Sequence, residues 1–153
     1  MKTLTIIESI KNIFDVGIII EILDKARKQR FEMDMVEFIK QVFWGKGYSN
    51  ITPPQLSEKM EKRGSNFLVI DLREKKHFER SKIETAISNP FDAFLKSVLV
   101  DQKYADTFDK EIVLVCDTGH KSRVAGAILV EEGFKKIYSL SRGMRRWNRW
   151  QRC

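Results

Sequence analysis

Short apolar runs that alternate with segments of helical spacing constrain this chain more than any other feature. NFLVIDLR, IETAISNP, EIVLVC and KIYSL read as extended pieces, the third as a strand buried on both faces. Between them lie EKKHFERSK, FDAFLKSVLVDQKYAD and SRVAGAILVEEGF, whose apolar residues recur at helical intervals. Right-handed crossovers place such helices on the faces of a parallel sheet, so the pattern predicts an α/β fold with helices on both sides. Upstream, Thr52 and Pro53 read as the N-cap and first position of a helix ended by Gly64, and a last helix begins near Arg142.

A chain of 153 residues holds one such domain plus an appendage. The appendage is the N-terminal stretch, where Ile6, Ile10, Phe14, Ile18 and Leu23, then Met35, Phe38, Ile39 and Val42, predict a pair of amphipathic helices. WGKGYSNITPP concentrates turn formers and marks the boundary, giving a helical extension over residues 1–45 and an α/β domain over 50–150. Glu8, Lys11, Asp15 and Glu21 interrupt the apolar residues of the extension and no A-x-A-like site comes after them, which argues against a signal peptide or a membrane span.

Two cysteines, Cys116 and Cys153, are too few for a disulfide framework and lack zinc-site spacing, so a reducing, cytoplasmic setting without a bound metal is expected. The net charge of +7 is concentrated in SRGMRRWNRWQRC. A basic aromatic tail of this kind binds RNA, an acidic protein or an anionic membrane surface. The plainer reading, preferred here, is a solvated last helix whose arginines face water and complement its dipole, with nucleic acid kept as a lesser alternative.

Ligands of open parallel sheets bind at the carboxyl ends of the strands, where Cys116 and the pair Asp71 and Arg73 fall. In CDTGHKS, Gly119 lets the backbone curl so that amides at the start of the next helix, predicted near Ser122, face one point. A thiolate at that point is stabilised by the N–H groups, by the helix dipole and by the cations of Lys121 and Arg123. The competing reading makes Cys116 a small core hydrophobe, the fate of most lone cysteines. The glycine, hydroxyls and cation of the loop favour the nucleophile.

The segment VLVCDTGHKSRVAGAILVEEGFKKIYSLSRGMRRW resembles the rhodanese domain, whose loop reads roughly Cys-x-x-Gly-x-Arg-Ser before a helix. VIDLREKKHFERSKIETAISNP is similar to that family's upstream Asp-Val-Arg segment, with its acidic and aromatic helix and the extended stretch after it. The likeness covers about residues 50 to 150 in order. It implies a rhodanese-like α/β fold, a mostly parallel central sheet of about five strands flanked by helices, here preceded by the helical hairpin. It also implies a sulfurtransferase without a cofactor, in which Cys116 takes a sulfane sulfur from thiosulfate or a persulfide donor and passes it to a thiol or cyanide-like acceptor. Asp117, Thr118, Gly119, His120, Lys121 and Ser122 would form the active loop, and Asp71, Arg73 and Arg123 would support it. Lys121 stands where the family has arginine, and Arg142 and Gly143 stand where it has Gly-Gly. A rival reading is a sulfur-delivery or binding module that docks a protein partner, or pairs with itself, through the N-terminal helices. A Cys-dependent phosphatase is disfavoured because its loop needs arginine at the sixth residue after the cysteine, where this chain has Ser122. Cys153, at a chain end, is a further thiol that would meet Cys116 only if the fold brings the two together.

Overall fold

A computed structural model describes Lys40, Trp44, residues 47–62, Gly64 and residues 66–153. The predicted helical hairpin lies outside the described residues, apart from Lys40 and Trp44, both helical. The elements run β1 (Ser49–Ile51), α1 (Pro53–Glu61), β2 (Phe67–Asp71), α2 (Lys75–Arg80), β3 (Ala86–Ser88) and α3 (Phe91–Leu99). A 3-10 turn at Ala105–Thr107 leads to β4 (Glu111–Val115), α4 (His120–Glu131), β5 (Lys136–Leu140) and α5 (Gly143–Gln151).

The five strands form one sheet in the order β1-β5-β4-β2-β3 with every neighbouring pair parallel. This is the α/β architecture expected from the alternating runs. Central strand β4 shows why its sequence is continuously apolar: Ile112 and Leu114 face one core, Val113 and Val115 the other. The first core is closed by Phe91, Phe94 and Leu95 of α3 and Val124, Ala125 and Ile128 of α4. The second is closed by Leu56 of α1, by Ile83, and by Met144 and Trp147 of α5. Helix α1 starts as predicted, with the Thr52 N–H donating to Gln55 Oε1 at 2.9 Å and Pro53 in the first turn.

Three expectations change. Ser49–Ile51, read as part of a connection, is a strand on the edge of the sheet, paired with β5 from Ser49 opposite Tyr138 to Ile51 opposite Leu140. Its three residues are too few to show a period, and Pro53 comes almost at once. Helix α3 ends at Leu99, short of the predicted segment, because the N–H groups of Val100 and Asp101 both turn back to the Lys96 carbonyl and Gln102 takes φ +49°. Helix α4 starts at His120, two residues before Ser122, because Gly119 at φ +93° swings the chain directly into it. Among the described residues no helix is long and apolar enough to cross a membrane.

Candidate active site

The carboxyl ends of β2 and β4 lie side by side, Asp71 opposite Val115, so Cys116 and the Asp71–Arg73 segment emerge at the same edge of the sheet. Residues 116–119 then curl over that edge into α4. Cys116 is buried, 3% exposed, and its Sγ accepts a hydrogen bond from the Gly119 N–H at 3.1 Å. The thiol also reaches Ser122 Oγ at 3.6 Å. Burial alone fits a core cysteine, yet both sulfur contacts are polar and one is a backbone donor at the start of a helix. A mere core hydrophobe has no need of such a backbone donor.

Ser122 hydrogen-bonds within the loop and is not the cap of α4. It lies inside α4, where its hydroxyl donates to the Gly119 carbonyl at 3.1 Å and sits 2.8 Å from Ser139 Oγ. The N-cap of α4 is Gly119 itself. Ser139, absent from the sequence-derived site, is fully buried on β5 and is the second hydroxyl of this pair. Its signal was a serine between Ile137 and Leu140 in a strand apolar beyond Lys136, on the face that Ile137 buries.

Gly143 is the other residue that pattern reading passed over as chemistry. The start of α5 abuts the loop, with the Met144 N–H donating to the Cys116 carbonyl at 2.8 Å and the Arg145 N–H to the Asp117 carbonyl at 3.2 Å. A Cβ on Gly143 would stand 2.1 Å from the Cys116 carbonyl oxygen, and its φ is +55°. Arg142 beside it also takes a left-handed φ, +59°. The family resemblance placed Gly-Gly at these two positions, and the backbone shows the physical reason at both.

Asp71 and Arg73 form a buried pair, 0% and 7% exposed. Arg73 donates from Nε to Oδ1 at 3.0 Å, from Nη2 to Oδ2 at 2.7 Å, and from its backbone N–H to Oδ1 at 3.0 Å. Its Nη2 also donates to the Ser81 carbonyl, and its Nη1 stands 3.9 Å from Asp117 Oδ1 in the loop. The pair therefore spans from the β2 end to the loop that carries Cys116.

The remaining loop residues separate onto two flanks. Lys121 is exposed, with Nζ 5.7 Å from the centre of the Phe91 ring. Its charge is felt at Glu74, whose carboxyl is held below its usual range chiefly by the hydrogen bond to Lys76, with Lys121 a smaller contributor. Thr118 Oγ1 and His120 Nδ1 lie 2.8 Å apart on the opposite flank. There Thr118, His120, Arg123, Ser139 and Arg142 help line a cavity of about 300 Å³. Arg123 turns its side chain away from the sulfur, donating from Nε to Tyr48 Oη at 3.3 Å, while its N–H joins the Gly119 carbonyl at 3.3 Å. Cys153 is exposed at the far end of α5, about 14 Å along the helix from the end that touches the loop, beyond the 6.8 Å or so that a disulfide spans between Cα atoms.

Residues 52–149 match the family model for the rhodanese-like domain. The thiosulfate sulfurtransferase GlpE of Haemophilus influenzae is 32% identical over 105 residues, which cover 67% of this chain and 90% of that protein. The adenylyltransferase and sulfurtransferase UBA4 of Debaryomyces hansenii is 26% identical over 119 residues, 70% of this chain but 27% of the longer protein's length. Among solved structures, a Rhodopseudomonas palustris protein of unknown function, named a possible tyrosine phosphatase, superposes with a TM-score of 0.64 at 17% identity. That superposition covers 80% of this chain and 95% of the other, and it shows a shared fold.

Proposed function

The chain belongs to the rhodanese-like domain family, and from that premise we propose that it is a sulfurtransferase working through a persulfide on Cys116. The observation that carries the reading is the Gly119 N–H aimed at Cys116 Sγ at 3.1 Å inside a loop closed by the start of α4. The Cys116 thiolate attacks the outer sulfur of thiosulfate. An S–S bond forms to Cys116, the bond from that sulfur to the sulfonate sulfur breaks, and sulfite leaves with the bonding electron pair. The product is an anionic Cys116 persulfide. A thiolate or cyanide then attacks the terminal sulfur and carries it off as a persulfide or thiocyanate, returning the electron pair to Cys116 as thiolate.

Each loop residue has a role in this scheme. The backbone of Asp117, Thr118 and Gly119 wraps the sulfur, and the Gly119 N–H holds its negative charge in both thiolate and persulfide. Ser122 Oγ, fixed by Ser139 and by its own bond to the Gly119 carbonyl, accepts from the Cys116 thiol before the sulfur ionises. Lys121 and His120 stand on either side of the loop, and Lys121 draws in an anionic donor as a point charge without the fork of an arginine. Asp71 and Arg73 hold the loop through Asp117, and Arg123 anchors the first turn of α4. The donor and acceptor are the small molecules of this chemistry, and the reaction suits a reducing compartment such as the cytoplasm, where Cys116 stays a free thiol. The catalytic unit is residues 50–150, with residues 1–45 an extension that docks a protein partner or a second copy.

The name of the Haemophilus influenzae relative supports the enzymatic reading over a module that only binds. The phosphatase alternative lacks its anion clamp, since Arg123 is committed to Tyr48 and comes one residue too late. Intact-mass measurement after thiosulfate treatment tests the proposal. Wild type and Cys153→Ser should each gain one sulfur atom that cyanide removes, and Cys116→Ser should gain none. The absence of any gain in wild type with thiosulfate or an organic persulfide rejects the persulfide mechanism.

A further inference from the structure

Helix α5 carries its charges against the electrostatics of its own backbone. Arg145 and Arg146 sit in the first turn, Arg142 is the N-cap residue, and the turn holds no acidic residue. The positive end of the helix dipole disfavours cations there. Only Arg149 and the residues after it sit where the dipole welcomes them. The idea that the tail's arginines complement the helix therefore fails for three of them. Arg142, Arg145, Arg146 and Arg149 also stand three or four residues apart, which places like charges side by side. Among the described residues none of these four forms an ion pair; Arg146 instead donates to Ser141 Oγ at 3.3 Å.

These four guanidiniums line one groove of about 700 Å³ together with Thr118, Ser141, Trp150 and Cys153. Trp150 is 36% exposed, and its ring is held 5.2 Å from that of Trp147, itself 3% exposed and part of the core. The groove thus offers a row of planar cations and one indole that is already fixed in place. Among the described residues Trp150 is its only large apolar side chain.

We propose that the α5 groove binds a single-stranded nucleic acid, its phosphates on Arg142, Arg145, Arg146 and Arg149 and a base stacked on Trp150. Guanidiniums track a phosphate backbone, and a preset aromatic ring takes a base of any identity. An acidic peptide would satisfy the arginines but finds no apolar complement beyond one indole. A duplex would satisfy them too, but its bases are already stacked on one another and leave Trp150 unused. The groove runs along α5 for about 14 Å, enough for a few nucleotides, and ends at Thr118 of the loop that carries Cys116. A strand lying there neutralises charges that the helix itself opposes. The proposal rests on the charge and shape of α5 and stands whether or not Cys116 transfers sulfur.

Fluorescence anisotropy with the full chain tests it, using labelled twelve-nucleotide oligouridylate and oligothymidylate, a duplex of equal length, and polyglutamate. Both single strands should bind at about 50 mM salt, with affinity falling as salt rises. Arg146→Gln and Arg149→Gln should each reduce the salt slope by about one. Trp150→Ala should weaken binding by about 5- to 100-fold and abolish the quenching of tryptophan emission by the strand. The Arg146→Gln melt should be unchanged or raised and the Arg149→Gln melt lowered by no more than a few degrees, so a loss of binding in them reports the groove and not the fold. The proposal is overturned if neither single strand binds, if polyglutamate or the duplex binds as tightly, or if the Arg146→Gln/Arg149→Gln double variant binds like wild type.

Discussion

The loop that carries Cys116 is held from two sides by different physics. On the β2 side stands a buried ion pair, Asp71 and Arg73, whose guanidinium is shared among a carboxylate, the Ser81 carbonyl and Asp117. On the β5 side stand neutral groups: the Ser122–Ser139 hydroxyl pair, and the bare backbone of Gly143 pressed against the Cys116 and Asp117 carbonyls. The charged brace works through side chains and fails when one partner is removed, because the other is left as an uncompensated charge in the core. The backbone brace works through the absence of a side chain and fails when one is added. One loop thus depends on two opposite requirements, and substitutions separate them.

The largest effect is expected on the β5 side. Gly143→Ala drives a methyl group to 2.1 Å from a carbonyl oxygen and fixes an L residue at φ +55°, so α5 must move off the loop. The loss should exceed about 4 kcal/mol, as for other backbone clashes in a core, measured by urea unfolding monitored by circular dichroism. A small loss would show that α5 shifts freely and that the loop does not depend on it. Arg73→Ala comes next, at about 3–5 kcal/mol, because Asp71 is left buried without its cation. Replacing both members with a neutral pair, Asp71→Asn with Arg73→Met, should recover part of that loss. If the double variant is no more stable than Arg73→Ala, the damage comes from lost packing and not from stranded charge.

Ser139→Ala is milder. It removes one hydroxyl from beside Ser122, which still donates to the Gly119 carbonyl, so about 1 kcal/mol is expected in the same unfolding measurement. Persulfide formation should slow more than this cost in stability suggests, because Ser122 then loses the partner that orients it. A variant with wild-type sulfur loading would reduce the hydroxyl pair to a packing role.

The two braces were unequally legible in the sequence. Asp71 and Arg73 stand two apart at the end of a continuous apolar run, so both side chains point to the same side of the strand end, and the run itself announces the strand. The turn at Gly119 was legible for the same reason, as a polar loop after the apolar run of β4. The β5 brace was not. Ser139 meets Ser122 only when β5 lies beside β4, and Gly143 meets Cys116 only when α5 packs against the loop, so neither contact leaves a local pattern. Edge strand β1 escaped on similar grounds, since it acquires its identity from pairing with β5. Periodicity revealed four of the five strands and the helices between them; what it missed were edge strand β1 and contacts made by one residue at a turn.

The smallest expected effect sharpens the comparison at the point where the β5 brace meets the arginine face of α5. Arg142 takes φ +59°, a conformation that costs an L residue with a full side chain about 1–2 kcal/mol relative to one glycine adopts freely. It also places a cation at the positive end of α5. Both terms have the same sign, and glycine's larger freedom in the unfolded chain opposes them by somewhat under about 1 kcal/mol. Arg142→Gly should therefore stabilise the chain by about 1 kcal/mol and raise its melting temperature by about 2–4 °C. Arg142→Ala separates the contributions, because it keeps the backbone strain while removing the charge, and its gain should be smaller. A melting temperature that falls in the glycine variant would mean that the Arg142 side chain holds the turn more strongly than its backbone strains it.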